Sequence, residues 1–458
     1  MFSKILVANR GEIALRLIRA CKDLCIKCVA VYSEADVNSL HVKLADESVC
    51  IGPAISAKSY LSIQNIIKAA KETNADAIHP GYGYLAEKEA FAVECERNGI
   101  VFIGPTPENL RLAGDKIVAK KIMREAGIPV IPASPGSVET VYDAKKICHE
   151  IGYPVMVKAS GGGGGRGIKI CKNEEELIED FPMAKIEGRT AFGNDEVYIE
   201  KFIEEPRHIE FQILADKYGN ITHLGERECT IQRRYQKLIE EAPSPALTPE
   251  LRKKMGEASV SAAKAVGYVN AGTVEFLLDK QGKFYFMEVN SRIQVEHPVT
   301  ELTTGIDLIR EQVRLAAGEK LGYAFNDLSV RGCAIECRIN AEDPDRNFLP
   351  SPGTIERYHA PGGFGVRLDT HLFQGYELPI YYDSLIAKLI SFNLTRTGAI
   401  RVMKRALEEF RVEPLKTTIP LYLKVMDDPD FRDGRFDTGY IGKFLPEEDE
   451  DDDEYDDE

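Results

Sequence analysis

Short apolar runs alternate with amphipathic stretches along the first hundred residues. The runs have the length of buried strands, and the stretches between them carry apolar residues at helical spacing. This alternation predicts a parallel sheet covered by helices, with ligands at the carboxyl ends of the strands. The predicted strands are Lys4–Ala8, Cys28–Tyr32, Ala77–His79 and Val101–Ile103, and the predicted helices begin at Glu12, Ile63 and Lys88.

The pattern changes near Gly114. From there to about Leu328, helical spacing is interleaved with long alternating runs that are typical of antiparallel strands. A third block begins near Val330, with short strands, Pro-Gly turns and an amphipathic helix around Ala399–Phe410. The central block contains most of the residues that suggest chemistry.

Five consecutive glycines, Gly161–Gly165, follow the apolar run that ends at Lys158. Glycine lets backbone N–H groups approach an anion closely. A strand-like run, Ile168–Cys171, resumes after the loop, whereas dinucleotide sites and P-loops continue into a helix. The sequence therefore predicts a glycine flap between two strands that closes over nucleotide phosphates.

Two apolar runs flank Asp279–Gly282, which predicts a hairpin in which Leu278 faces Lys283. Side-chain parity then places Glu275, Glu288 and Asn290 on one face of the hairpin. Carboxylates and an amide in this arrangement favour magnesium, because Mg²⁺ prefers oxygen ligands.

The charge is concentrated at one end of the chain. The net charge is −15, and eleven of the last twelve residues are acidic, which leaves about −4 for the remainder. This composition predicts binding to neither nucleic acid nor membrane, since both require clustered Lys and Arg. The ten cysteines are scattered and no signal peptide precedes the first strand, so we expect a cytoplasmic protein with reduced thiols.

Several longer motifs agree in order and spacing with one family. The chain resembles the biotin carboxylases of the ATP-grasp superfamily from about Phe2 to Pro446. The matching segments are Ala8–Ala14, His79–Gly83, Gly161–Gly165, Arg227–Arg234, Asn290–Glu301 and Arg338–Glu342.

The resemblance implies an α/β fold with three domains. It implies an N-terminal parallel-sheet (pre-ATP-grasp) domain at 1–114, and an ATP-grasp domain at 115–329 with a mobile glycine-rich lid at about 131–203. A C-terminal α+β domain is expected at 330–446, followed by a disordered acidic tail at 447–458.

The resemblance also implies a reaction. In this family ATP and bicarbonate give carboxyphosphate and ADP, and the carboxyl group then passes to biotin on a carrier protein. The implied cofactors are ATP with Mg²⁺ or Mn²⁺, and biotin carried by the partner. Because an Ala-Met-Lys-Met-like attachment turn is absent, we expect a separate biotin carboxyl carrier protein and a carboxyltransferase subunit, with the chain itself as a homodimer.

Site residues carried over from the family fall into three groups. Those implied for catalysis and for bicarbonate or biotin are Glu296, Arg292, Lys237, Arg338, Val295 and Tyr82. Those implied for ATP are Lys116, Lys158, Gly164, Gly165, Glu200, Lys201, Phe202, Ile203, His208, Gln232, Tyr235, Glu275 and Glu288. Those implied for the metal are Glu275, Glu288 and Asn290.

One residue departs from the family pattern. Tyr235 stands where many relatives have histidine beside the nucleotide.

Another ATP-grasp carboxylate ligase would also use the flap and the metal hairpin, but Arg292–Glu301 argues against it. If the chain were a regulatory protein that has lost catalysis, we would expect substitutions at Glu296, Lys237 or Arg338. All three positions keep the residue type of the family. The final carboxyl acceptor, whether acetyl-CoA, propionyl-CoA or pyruvate, stays open.

Overall fold

The structure is a computed structural model that describes residues 1–163, 166–192, 195–324 and 330–445. Gly164, Gly165 and the acidic segment 447–458 lie outside the described residues, and so does the side chain of Lys116. Within these ranges, no helix combines the length and the apolar character needed to cross a membrane.

The first part of the chain forms the predicted parallel sheet. Its strands are β1 (Lys4–Val7), β2 (Lys27–Tyr32), β3 (Glu47–Cys50), β4 (Ala77–His79) and β5 (Val101–Phe102), in the order β3-β2-β1-β4-β5. Strand β3 was not predicted, because this edge strand is largely exposed and has no apolar run. The helices are α1 (Gly11–Asp23), α2 (Leu40–Leu44), α3 (Ile63–Glu72), α4 (Glu89–Arg97) and α5 (Pro107–Gly114).

Helix α1 connects this sheet to the centre of the molecule. Its apolar residues Ile13 and Leu17 belong to a buried cluster that also contains Ile293 and Leu308 from much later in the chain. The polar residues that precede and begin α1, Arg10 and Glu12, are buried as well. The start of α1 therefore faces the interior of the molecule rather than solvent.

A small antiparallel sheet carries the glycine flap. After α6 (Lys116–Glu125) and α7 (Val141–Ile151), the strands β6 (Val155–Gly163), β7 (Arg166–Cys171) and β8 (Val197–Lys201) pair in the order β7-β6-β8. Helix α8 (Glu174–Phe192) covers this sheet through Leu177 and Phe181. As predicted, the glycine-rich segment connects two strands, since Gly163 pairs with Arg166.

An eight-stranded antiparallel sheet supports the site. It contains β9 (Arg207–Ala215), β10 (Ile221–Arg233), β11 (Gln236–Ala242), β12 (Asn270–Leu278) and β13 (Phe284–Asn290), and beside these β14 (Cys333–Asn340), β19 (Val366–Thr370) and β21 (Leu385–Asn393). The order is β13-β12-β9-β10-β11-β14-β21-β19. The sheet thus continues without a break from the central block into the C-terminal block. Helices α9 (Pro249–Ala265), α10 (His297–Thr304) and α11 (Leu308–Ala316) belong to the central block.

Short strands and helices complete the C-terminal block. Helix α12 (Arg396–Glu409) lies where an amphipathic helix was predicted, and it packs on the sheet through Ala399, Met403 and Leu407. The remaining elements are β15 (Glu342–Asp343), β16 (Leu349–Pro350), β17 (Gly353–Thr354), β18 (Arg357–His359), β20 (Glu377–Leu378), β22 (Arg411–Glu413), α13 (Ile419–Asp427) and α14 (Pro429–Arg432).

Candidate active site

Lys237 is at the centre of a cluster of buried acidic residues on the large sheet. Its Nζ atom donates to Glu210 Oε2 at 2.6 Å, Glu296 Oε1 at 2.8 Å, Glu275 Oε1 at 2.9 Å and Gln294 Oε1 at 3.1 Å. Burial alone would lower the pKa of Lys237, but the three carboxylates raise it well above its usual value. Lys237 is therefore a permanent positive charge in an enclosed site.

Glu296 lies between two cations. Besides the contact with Lys237, its Oε2 atom accepts a hydrogen bond from Arg338 Nη2 at 2.9 Å, and Arg338 Nε donates to Glu240 Oε1 at 2.6 Å. Burial would raise the pKa of Glu296, but Lys237 and Arg338 hold it well below its usual value. The carboxylate at residue 296 is thus ionised in this structure.

The metal hairpin has the predicted shared face but not the predicted register. Leu278 pairs with Phe284 rather than with Lys283, so that part of the prediction was wrong. Asp279 N donates to Lys283 O, which makes Lys283 part of the turn, and Gly282 has a positive φ of 76°. This geometry is that of a three-residue loop closed by a glycine, which moves the register by one residue.

A β-bulge then restores the shared face. It lies between Glu275 and Phe276 in the register, and beyond it Glu275 pairs directly with Glu288 and Thr273 pairs with Asn290. Because opposed residues of an antiparallel pair point to the same side, Glu275, Glu288 and Asn290 share one face. The oxygen donors on this face fit Mg²⁺ or Mn²⁺.

Glu275 is the most densely hydrogen-bonded member of this set. Its Oε1 atom accepts from Asn290 Nδ2 and Gln294 Nε2, each at 2.8 Å, and its Oε2 atom lies 2.8 Å from His208 Nε2. Burial would raise the pKa of Glu275, but Lys237 and His208 hold it well below its usual value. His208, one of the predicted ATP residues, is therefore in contact with Glu275, a predicted metal ligand.

The segment from Arg292 to Glu296 is fixed by residues from both outer domains. Arg292 Nε donates to Glu87 Oε2 at 2.9 Å. Lys388, which is fully buried on β21, donates to the carbonyl oxygen of Val295 at 2.9 Å and lies 3.1 Å from Glu12 Oε1. The hydroxyl of Tyr82 also donates to Glu12 Oε1. These contacts hold the main chain immediately before Glu296.

Lys158, one of the predicted ATP residues, and Lys120, which was not predicted, converge on one carboxylate. Lys158 Nζ donates to Glu200 Oε2 at 2.6 Å, and Lys120 Nζ donates to the other oxygen of Glu200. Burial would raise the pKa of Glu200, whereas Lys158 and Lys120 lower it. The Glu200 side chain therefore faces the lysines, so a contact of this segment with ATP would come from its main chain.

The predicted ATP residues Glu200–Ile203, here called the hinge, lie at the end of β8 and immediately after it. Lys201 Nζ donates to the carbonyl oxygens of Gly152 at 3.0 Å and Tyr153 at 2.8 Å. Phe202 N donates to Pro154 O at 3.1 Å, and Ile203 is buried. These contacts tie the hinge to the start of β6, and thereby to the flap.

Two predicted nucleotide residues lie on or beside the turn between β10 and β11. Gln232 pairs with Lys237 in the register and so adjoins the central cluster. Tyr235 is in the turn itself, with a φ of 64° and 76 % of its surface exposed. In this conformation the structure does not bring Tyr235 into the cluster.

Several residues of the site were not predicted from the sequence. Arg227 is completely buried and donates to Glu210, Gln212 and Thr300. Its contact with Glu210 holds the carboxylate that Lys237 also contacts. Alternating polar residues on β9, which are unusual in a buried strand, could have indicated Glu210 and Gln212. The others, contributed by distant parts of the chain, are Glu12, Glu87, Lys120, Glu240, Gln294 and Lys388.

Comparison with known proteins assigns this chain to a family. Three family models match in succession: Biotin carboxylase, N-terminal domain, at 1–110; Carbamoyl-phosphate synthase L chain, ATP binding domain, at 115–324; and Biotin carboxylase C-terminal domain at 336–443. A biotin carboxylase from Nostoc sp. is 57 % identical over 440 residues, which cover 96 % of this chain and 98 % of the relative. The chain belongs to the biotin carboxylase family.

Other biotin carboxylases support the same assignment. Biotin carboxylase 1 from Bacillus subtilis is 55 % identical over 442 residues, which are 96 % of this chain and 98 % of that protein. The solved biotin carboxylase domain dimer of 2-oxoglutarate carboxylase from Hydrogenobacter thermophilus is 54 % identical, with a TM-score of 0.89 over 97 % of this chain and 98 % of that one. That structure is a complex with MgADP, ADP and bicarbonate.

Membership in the biotin carboxylase family confirms several predictions. The three-domain architecture is confirmed, with an N-terminal parallel sheet, a central ATP-grasp domain and a C-terminal domain. The function is confirmed as ATP- and bicarbonate-dependent carboxylation of biotin. The alternative of another ATP-grasp ligase is disfavoured, because the models matched at both ends of the chain are biotin carboxylase domains.

Proposed function

We propose that the chain carboxylates biotin on a separate carrier protein and that Glu296 is the base that deprotonates bicarbonate. The observation that supports this most directly is the position of the buried Glu296 carboxylate, 2.8 Å from Lys237 and 2.9 Å from Arg338. A base must be ionised and within hydrogen-bond reach of the proton that it accepts. Glu296 is ionised, and the cations that flank it suit an anionic substrate.

Substrate binding changes the basicity of Glu296. Bicarbonate is an anion, so it competes with Glu296 for Lys237 and Arg338, and Arg292 adds a third cation on the same side. When these cations turn to the substrate, the pKa of Glu296 rises towards the range in which a carboxylate can take the proton. The deprotonated bicarbonate then attacks the terminal phosphate of ATP, and the bond to the β-phosphate oxygen breaks, which gives carboxyphosphate and ADP.

Arg338 also serves the second step in this proposal. Transfer of the carboxyl group to biotin requires negative charge on the ureido oxygen, and a fixed guanidinium stabilises such charge. The contact with Glu240 fixes Arg338. Tyr82, near the same site through its contact with Glu12, is proposed to line the biotin pocket.

The nucleotide is proposed to lie between the flap and the large sheet. Lys116, Lys158, Gly164 and Gly165 bind the phosphates, and the adenine contact comes from the main chain of Glu200–Ile203, with His208, Gln232 and Tyr235 as further contacts. Bound Mg²⁺ or Mn²⁺ neutralises phosphate charge there. Glu275, Glu288 and Asn290 are proposed to hold the metal. In this structure Asn290 Nδ2 donates to Glu275 and its Oδ1 accepts from Arg292 at 3.3 Å, so the amide would have to turn to offer its oxygen to the metal.

The wider assignment has four parts. We propose the domain boundaries 1–114, 115–329 and 330–446, a homodimer like the solved relative, a cytoplasmic location, and a carboxyltransferase subunit that uses the carboxylated carrier. Relatives named biotin carboxylase match over 98 % of their length, which supports a carrier on a different chain. The acceptor of the carboxyl group is left to that partner.

Radiolabelled bicarbonate tests this proposal. The purified chain is incubated with ATP, Mg²⁺ and either free biotin or a separately purified biotinylated carrier, and the acid-labile label on biotin is counted. We expect label that requires ATP, metal and biotin, and more label on the carrier than on free biotin. Biotin that stays unlabelled, or label that appears without ATP, would contradict the proposal.

A further inference from the structure

The carboxyl groups of Glu240 and Glu336 lie on opposed residues of two strands, next to the Glu296–Arg338 pair. Strands β11 and β14 are antiparallel, and their register places Glu240 opposite Glu336. Both side chains are completely buried. Opposed residues of such a pair have Cβ atoms about 5 Å apart, so the two carboxyl groups are close neighbours.

The hydrogen bonds of this pair are incomplete. Glu240 Oε1 accepts from Arg338 Nε at 2.6 Å. Glu240 Oε2 and both carboxyl oxygens of Glu336 are buried with no hydrogen-bond partner among the described residues. A buried carboxylate without a partner is costly, and a second negative charge next to the first is more so. These conditions favour a proton on the pair.

The charges around the pair lead to the same conclusion. Burial raises the pKa of Glu240 to about 7, although Arg338 and Lys237 oppose the shift and Glu296 adds to it. Burial also raises the pKa of Glu336 well above its usual value, and Lys388 only partly compensates. Among the described residues, the other titratable groups near the pair are Tyr82, Cys229, Cys337 and Tyr422. Burial raises the pKa of each well above its usual value, so all four are neutral.

We propose that Glu240 and Glu336 share one proton, and that this acid pair keeps Arg338 available to the substrate. With one proton the pair carries a single negative charge, which Arg338 balances through Nε and Nη2, both 2.6 Å from Glu240 Oε1, while Nη2 also donates to Glu296. Loss of the proton adds a second negative charge beside Arg338 and weakens its attraction for bicarbonate and for the biotin oxygen. Glu240 and Glu336 are positioning residues in this scheme, which rests on the proposed function.

The expected direction of the pH effect follows from the raised pKa values. A carboxyl group with a raised pKa is protonated at lower pH and releases its proton as the pH rises through that pKa. We therefore expect kcat/KM for bicarbonate to decline on the alkaline side. Glu336→Gln, which stays neutral, should keep the neutral-pH rate within about tenfold and remove that decline.

Infrared spectroscopy of the substrate-free enzyme tests the shared proton without any assay of activity. The difference spectrum of wild type minus Glu336→Gln should contain the C=O stretching band of a protonated carboxyl group, and the band should disappear as the pH is raised. Glu240→Gln should shift this band, because the proton loses its second acceptor. Glu356→Gln, which removes an exposed carboxylate of the same domain, should change neither the band nor the pH profile.

The outcomes that overturn the proposal are distinct. A difference spectrum without the protonated band means that Glu336 holds no proton. A band at the same position in Glu240→Gln means that the proton is not shared. An alkaline decline that persists in Glu336→Gln removes the link to Arg338, even if the band is present. Failure of the proposed function would instead appear as wild-type activity independent of bicarbonate, with the infrared result intact.

Discussion

Lys388 donates a hydrogen bond to the main-chain oxygen of Val295 at 2.9 Å. That oxygen belongs to the peptide unit that leads into Glu296, so a residue of the C-terminal block fixes the backbone of the proposed base. The ammonium is balanced by Glu12 from the N-terminal domain at 3.1 Å. Three parts of the chain thereby meet at one peptide group.

Replacement of Lys388 should damage both stability and catalysis. Lys388→Met leaves Glu12 buried without its cation, which should destabilise the protein by about 3 kcal/mol, since removal of one partner of a buried pair is costly. It should also lower kcat, because the Val295–Glu296 peptide is released. Urea unfolding and steady-state kinetics measure the two effects.

A second substitution separates these effects. Glu12→Gln combined with Lys388→Met should recover part of the stability, since no charge is left unpaired, but not the rate. A double variant as unstable as Lys388→Met would show that the pair Glu12–Lys388 is not the source of the loss.

Removal of a proposed metal ligand should raise the metal requirement. Glu288→Gln should increase the Mg²⁺ concentration needed for half-maximal ATP hydrolysis by at least about tenfold, the usual effect of even an indirect metal contact. Chelation of the metal should abolish ATP hydrolysis in both the wild-type protein and Glu288→Gln. Glu257→Gln on the exposed surface of α9 is the control. An unchanged metal dependence in Glu288→Gln would exclude this ligand.

The contact between Glu200 and the phosphate-site lysines predicts an effect on nucleotide binding. In Glu200→Gln, Lys120 and Lys158 lose their anionic partner. We expect KM for ATP to change by about tenfold while the half-saturating bicarbonate concentration stays the same, because bicarbonate is bound elsewhere. Equal changes in both constants would indicate a general structural defect.

Stability should fall when the pH drops below about 6.5, because burial and the neighbouring Arg10 lower the pKa of His371 to about 3. The unfolded chain binds a proton at this histidine near pH 6.5 and the folded chain does not, so stability is present above that value and is lost as the pH falls. From about pH 7.5 to about pH 5.5 this residue alone should cost about 1.4 kcal/mol of the free energy of unfolding. His371→Asn should lose stability less steeply over this interval, and an equal slope would contradict the assignment.

Local sequence pattern predicted much of the site, and long-range contacts explain what it missed. The shared face of Glu275, Glu288 and Asn290 follows from strand parity, which a bulge and a glycine-closed turn together preserved. The register itself depended on whether Lys283 belonged to the turn, which sequence spacing does not decide.

The residues that sequence reasoning missed act through contacts between distant parts of the chain. Lys388 and Glu12 are separated by most of the chain, and their charges are explained only when β21 and α1 meet. Lys120 and Glu200 likewise come from different elements of the central block. Periodicity identifies the elements on which such residues lie, but not the distant partner that makes a buried charge stable.

The most direct test of the central claim is bicarbonate-dependent ATP hydrolysis by Glu296→Gln. The glutamine keeps the size of the side chain near Lys237 and Arg338 but cannot accept the proton. We expect biotin-stimulated hydrolysis to fall by about a hundredfold or more, with little change in KM for ATP, while Glu250→Gln on the surface retains full activity. Wild-type rates in Glu296→Gln would contradict the assignment of Glu296 as the base.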